Sequence, residues 1–302
     1  MTKQVVAGSS LWADAWKRWR RHRISVASAV VLTLVVAFCV LGPMLTEALL
    51  GHTYEAQNRA LGAAPPSWVH PFGTDILGRD VMVRTMIGGR VSLAVALVAT
   101  AVSLFVGVTY GALSGFLGGR VDAVMMRIVD LMLSTPYLLL VIVLMAVIPP
   151  SQVSIGGLDG SIILMFAALG LVSWLILARI VRGQVLALKE REFVEAARAI
   201  GVKPLTILFR HIVPNTLGPV IVYSTLTIPS VMLSEAFLSF LGLGIREPEA
   251  SWGTLVNDGA NAMSVFPWLL IFPGAIMTLT LFCLNFLGDG LRDALDPSAS
   301  RT

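Results

Sequence analysis

The sequence predicts an all-α polytopic membrane protein with six transmembrane helices. The 302-residue chain is 56% hydrophobic and only 13% charged, whereas soluble domains carry about 25% charged residues. Its mean hydropathy is +0.82. Its apolar residues gather into six runs, 25–45, 91–117, 128–148, 161–182, 217–241 and 268–288, each long enough to cross a hydrocarbon core as a helix. Length-based counting of soluble domains therefore does not apply, and the expected organisation is one membrane domain. A basic N-terminal segment (1–24) precedes the first span (25–45). An outer loop (46–90) leads to a five-span core (91–290) with a polar loop at 190–215, and a short tail follows (291–302).

In the first segment Trp12, Trp16 and Trp19 alternate with Lys17, Arg18 and Arg20. Leu11, Ala15, Trp16 and Trp19 share one helical face, which predicts an amphipathic helix lying on the inner leaflet rather than a basic tail. The apolar run that follows is too long for a signal-peptide core, and no convincing small-x-small cleavage site follows it, so it is expected to remain as a span.

Orientation follows from the cations. With the N-terminus inside, Arg59, Arg79, Arg84, Arg90 and Arg246 fall outside and the other 17 of the 22 Lys and Arg residues fall inside. Both termini and the 190–215 loop are then cytoplasmic. The net charge of +4 is a topology signal, and no nucleic-acid partner is implied.

The outer loop contains FGTDILGRD at 72–80, followed by Arg84 and Gly88-Gly89-Arg90 before the second span. Gly73, Thr74, Asp75, Gly78, Arg79 and Asp80 predict a tight, internally paired turn. Asp75 and Asp80 are weighed as metal ligands, but two carboxylates beside an arginine favour an ion-pair knot. In the second span Gly107, Gly111 and Gly115 repeat every four residues. This stripe lets another backbone approach closely, and packing within the chain is preferred to packing on a partner. GFLGGRVD at 115–122 forms the next turn, and Met125, Met126, Arg127 and Asp130 open the third span.

The loop at 190–215, EREFVEAARAIGVKPLTILFRHIVPN, predicts two short amphipathic helices around a glycine turn. Phe193, Ala197 and Ile200 form one apolar stripe, and Leu205, Leu208, Phe209 and Ile212 a second. Arg191, Glu195 and Arg198 share another face at ion-pairing distance. Gly201 suits a left-handed helix end, Pro204 suits the first turn of the next helix, and Pro214 is expected to break the run before the fifth span. Glu235, inside the fifth span, is read as a structural acid hydrogen-bonded to Ser234, Ser239 or a partner helix, because a lone acid makes no proton relay. The run at 235–259 predicts an outer hairpin dipping back toward the membrane. Cys39 and Cys283 lie within spans and serve packing. His22, His52, His70 and His211 are scattered.

The dipeptide Gly-Lys is absent, so no GxxxxGK[ST] phosphate loop exists, and GxSxG, HExxH and CxxC are absent as well. No catalytic set is visible, and energy for uphill transport must come from another chain.

The 190–215 loop resembles the EAA loop of ABC importer permeases: Glu195-Ala196-Ala197, three residues, Gly201, nine residues, then His211-x-Val213-Pro214. His211 stands where the family has Ile, and Val213 where it has Leu. Residues 73–80 resemble the GTDxxGRD signature of the peptide and nickel branch. EAFLSFLGLGIREPEASWGTLVNDG (235–259) and FLGDGLRDALDP (286–297) resemble C-type permease subunits of oligopeptide or dipeptide importers.

The resemblance implies a five-helix permease core preceded by a peripheral span, in a bacterial inner membrane. It implies a homologous B-type permease partner and two cytoplasmic ABC ATPases that bind ATP and Mg, with no cofactor in this chain. It further implies an extracytoplasmic solute-binding protein and a peptide substrate. Glu195 would contact an ATPase, Ala196 and Ala197 would permit close approach, Gly201 would permit the turn, and Pro214 would end the loop. Nickel or another small solute is the alternative cargo. A secondary transporter is disfavoured by the nearly uncharged midplane, and a membrane enzyme by the missing catalytic set.

Overall fold

The computed structural model describes residues 11–51, 53–148 and 160–295. Expectations resting on Lys3, His52, Asp296, Pro297 and Arg301, and on the side chains of Leu11 and Trp12, lie outside the described residues. Among those described, the chain is helical: α1 (Leu11–Arg21), α2 (Arg23–Leu50), α3 (Val81–Leu117), α4 (Gly119–Ser134), α5 (Tyr137–Val147), α6 (Gly160–Leu188), α7 (Glu192–Ala199), α8 (Pro204–Thr206), a π turn at Ile207–Ile212, α9 (Val213–Phe240), α10 (Trp252–Ala262) and α11 (Trp268–Leu295).

Five helices are long and apolar enough to span: α2, α3, α6, the continuous stretch Pro204–Phe240, and α11. The third expected span, 128–148, is not a single helix. Its residues fall in α4 and α5, which meet at 84° and make a sixth crossing only as a bent pair. Pro136 explains the break. It has no N–H to continue α4, and it pushes Thr135 into extended backbone at ψ 137°. The second expected span also differs, because α3 starts at Val81. Asp80 Oδ1 accepts the Val83 N–H at 3.0 Å, a side-chain cap that starts the helix ahead of the apolar run. Arg84, Gly88, Gly89 and Arg90 thus sit on α3 rather than in the loop before it.

The glycine stripe of α3 packs within the chain, as expected. Gly107 meets Trp174 and Leu177, Gly111 meets Ala178, and Gly115 meets Arg182 and Val185, all on α6. A Cβ on Gly111 would stand 2.3 Å from the Ala178 carbonyl oxygen, closer than any real contact. The core continues through Val95, Ala96 and Ala99 of α3, Met165 and Leu175 of α6, and Met232 and Leu238 of α9. Cys39 and Cys283 are buried and unbridged, as their packing role requires.

The first span is held on α3 by an arginine. Pro43 leaves the Cys39 carbonyl without its helical donor, and Arg90 Nε donates to that oxygen at 2.8 Å, with Nη2 donating to Val40 O at 2.5 Å. Beside it, Gly89 lies against Cys39 and the ring of Trp252. At its other end α2 is capped by His22, whose Nδ1 accepts the Ser25 N–H at 3.2 Å. In α1, Trp16 and Trp19 stack at 5.0 Å and Trp19 Nε1 donates to Ser25 Oγ at 2.8 Å.

Candidate functional site

One end of the helix array carries the 190–215 loop. Gly201 has φ +81°, and the chain reverses there through a Schellman motif. Val202 N–H donates to Ala197 O at 3.1 Å and Gly201 N–H to Arg198 O at 3.0 Å. Pro204 opens α8 at its first turn. Val194, Ala197, Ile207, Leu208 and Ile212 are buried with Val181 and Val185 of α6.

The apolar stripes therefore divide differently from expectation. Of the first, only Ala197 is buried, while Phe193 and Ile200 are 41% and 80% exposed. Of the second, Leu208 and Ile212 are buried, and Leu205 and Phe209 are exposed. The reason is that Val194 and Ala197, three apart, turn inward, and a two-turn helix has only one inward face. Ala196 and Glu195 are exposed. No ion pair joins Arg191, Glu195 and Arg198, all of them described residues; each side chain reaches solvent, where such pairs contribute little. Pro214 does not break the run. It is accommodated at the start of α9, and Val213 N–H bonds to Leu208 O, five residues back. The π turn re-registers the ladder ahead of a residue that cannot donate.

Just ahead of the loop, α3, α4 and the end of α6 are joined by a cluster that no local pattern marks. Arg182 of α6 grips Asp122 of α4 with Nε to Oδ1 at 2.5 Å and Nη2 to Oδ2 at 2.6 Å. Ser114 of α3 donates to the same Oδ1 at 2.5 Å, and Lys189 Nζ donates to Gly115 O at 3.3 Å. Asp122 lies in the glycine-rich turn at 115–122, but its partner is 60 residues away and no local period marks it.

The opposite end carries the 72–80 turn. Gly73 and Gly78 have φ of +76° and +73°. Thr74 Oγ1 donates to Gly62 O at 2.7 Å and accepts from Ala64 N at 2.8 Å, tying the turn to the preceding loop. Asp75 Oδ2 takes Arg79 Nε at 2.6 Å and Arg84 Nη1 at 3.3 Å, while Arg79 Nη2 also reaches Glu247 at 2.9 Å. Burial works against the Arg79 charge, but Asp75 and then Glu247 outweigh it and raise its pKa. Asp80 is engaged separately, by the α3 cap and by His70 Nδ1 at 2.8 Å. The two aspartates thus answer to different partners. Glu247, which links this knot to the hairpin after α9, lies 168 residues from Arg79 and carried no sequence signal.

Between the ends, the hairpin and α10 fold back against α3 and α9. Trp252 is fully buried, and its Nε1 donates to Thr85 O at 2.9 Å. Glu235 is 1% exposed. It accepts from Ser92 Oγ (3.1 Å), Ser239 Oγ (3.0 Å) and Ser251 Oγ (2.5 Å), which joins α3, α9 and the cap of α10. Ser239 is an expected partner; Ser234 donates to Ser230 O in its own helix at 2.9 Å.

The described residues thus form a multi-pass helical array with a positive-φ helical hairpin at one end, the architecture of a membrane permease subunit of a binding-protein-dependent transport system. The fold agrees with the inward-facing MetNI methionine ABC transporter, at a TM-score of 0.57 and 19% identity over 71% of this chain and 97% of that one. The chain belongs to the family described as binding-protein-dependent transport system inner membrane component, which matches residues 107–301. Residues 10–66 match the N-terminal TM domain of oligopeptide transport permease C. Among its relatives is the oligopeptide transport system permease protein OppC of Escherichia coli K12, 50% identical over 98% of this chain and 94% of that protein. OppC of Bacillus subtilis is 43% identical over 95% of this chain and 90% of its own length. The dipeptide transport system permease protein DppC of B. subtilis is 44% identical over 95% of this chain and 86% of its own.

Proposed function

We propose that this chain is the C-type permease subunit of an ATP-driven peptide importer. The observation that carries the reading is the near full-length identity to oligopeptide and dipeptide permease subunits. The chain pairs with a homologous B-type permease in a bacterial inner membrane, with both termini and the Gly201 loop cytoplasmic. Two ATPase subunits bind ATP and Mg and dock beneath the pair, one on each loop. An extracytoplasmic binding protein delivers the peptide to the face that bears the 72–80 turn.

Closure of the ATPases on ATP moves the loops and biases the permease pair between inward- and outward-facing states, and hydrolysis resets them. Exposed Phe193, Ile200, Leu205 and Phe209 give the loop an apolar contact surface, and Glu195 adds a charge beside it. The buried Val194 and Ala197 join this surface to α6, so a push on the loop reaches the spans.

The test is reconstitution in proteoliposomes with the partner permease, both ATPases and the binding protein. ATP-dependent peptide uptake that fails when any component is omitted is expected, and the purified chain alone should hydrolyse no ATP. Uptake driven by an ion gradient without the ATPases would overturn the reading.

A further inference from the structure

We propose that a groove between α4, α6 and α9 is this chain's wall of the solute path, and that it holds a peptide by its backbone. The proposal rests on the peptide-importer reading above. The groove has a volume of about 290 Å³. Ligand pockets run from roughly 300 to 1,000 Å³, so one chain encloses only part of a peptide and a partner must supply the facing wall.

Its lining is apolar with a row of hydroxyls. Tyr223, Thr227, Ser230 and Ser234 lie at i, i+4, i+7 and i+11 on one face of α9, and Ser173 joins them from α6. Ser230 Oγ donates its proton to Leu226 O at 3.1 Å and Ser173 Oγ to Leu169 O at 2.6 Å. A hydroxyl whose proton is held in its own helix still offers lone pairs. These oxygens therefore present acceptors, which suit the N–H groups of an extended peptide. No charged residue lines the groove, so it offers no ion-pair partner that would favour one sign of side-chain charge over the other.

One helical turn beyond Leu133 and Ile176, toward the Gly201 loop, Asp130 of α4 pairs with Arg179 of α6. The two side chains are 53% and 48% exposed. A half-exposed ion pair is costly against lipid tails, which identifies this end of the groove as one that meets polar matter.

The test uses the complete transporter in proteoliposomes, carrying Ser230→Cys or, should that variant assemble poorly, Ser234→Cys. The control is Phe282→Cys, on the exposed face of α11. A charged thiosulfonate reagent is applied, with the unsubstituted transporter as baseline. Modification of the groove cysteine should stop uptake. Neutral, acidic and basic tripeptides should each slow modification about tenfold at about ten times their dissociation constants. The control cysteine should show no such protection.

A groove cysteine that reacts only with lipid-soluble maleimide would place this face against lipid, and a spontaneous disulfide to a cysteine-scanned partner permease whose formation excess peptide does not slow would make it a helix interface. Either result overturns the proposal. Protection by peptides of one charge class alone overturns the backbone reading. If the unsubstituted transporter takes up no peptide, the importer reading itself falls. If its uptake is normal but the groove cysteine is unprotected, only the groove assignment falls.

Discussion

Gly111 of α3 lies directly on the backbone of Ala178 of α6, with room for a hydrogen but not a methyl group. The contact is backbone on backbone, so no side chain can rotate away from an added Cβ. Gly111→Ala should destabilise the α3–α6 pair by about 1–3 kcal/mol, as overpacking does. Gly183→Ala, where nothing stands within 4 Å, should be neutral or stabilising by about 0.5–1 kcal/mol. Thermal unfolding of the purified complex in detergent compares the two, and equal melting temperatures would refute the close-approach argument.

At Gly201 the added group has open space, and the obstacle is backbone alone. With φ +81°, an alanine costs about 1–2 kcal/mol and a β-branched residue more. Gly201→Val should therefore distort the hairpin and lower both uptake and ATPase recovery. Glu195→Lys should keep the fold and weaken docking by about 1 kcal/mol or less, since the site is exposed. Full uptake by Gly201→Val with normal ATPase recovery would remove the coupling role proposed for this loop.

Asp122 and Arg182 make a two-bonded pair, side chains 13% and 34% exposed. Asp122→Ala should cost about 1–2 kcal/mol, within the range of hydrogen bonds to charged groups and reduced by solvent at the arginine. A double-mutant cycle with Arg182→Ala should return a coupling energy of about 0.5–2 kcal/mol. Additive effects on the melting temperature would show that the two residues act separately.

Glu235→Ala removes the acceptor shared by Ser92, Ser239 and Ser251, leaving three buried hydroxyls to find new partners. A cost of about 2–3 kcal/mol is expected, concentrated on the α10 hairpin. Glu235→Gln retains the shape and one oxygen, and should cost less. Trypsin cleavage after Arg246, in the exposed hairpin, reads this locally: Glu235→Ala should be cut fastest and the parent slowest. Unchanged cleavage in both variants would show that Glu235 does not hold the hairpin.

Much of this protein was legible in its residues, because the decisive signals were local. Hydropathy marked the spans, since any segment that crosses lipid must satisfy its own backbone and present apolar side chains. The Gly107, Gly111 and Gly115 repeat announced a close helix contact, and Gly201 announced a positive φ. The local reading failed where a neighbouring residue changed the backbone ladder. Asp80 started α3 early, Pro136 split the third span, and the π turn carried Pro214 into α9.

The sequence by itself determined that this is a helical membrane permease, which ends carry its charges, and where the chain reverses. Only the tertiary structure decided which partners those charges take. Arg182 finds Asp122, Arg79 finds Glu247, and Arg90 finds the carbonyl that Pro43 left open. It also decided that Ser92 and Ser251 close around Glu235 and that Phe193 and Ile200 face outward. Such pairings join residues tens to hundreds of positions apart. They are set by how the helices cross, and helical periodicity specifies only which face a residue occupies, not which face meets it.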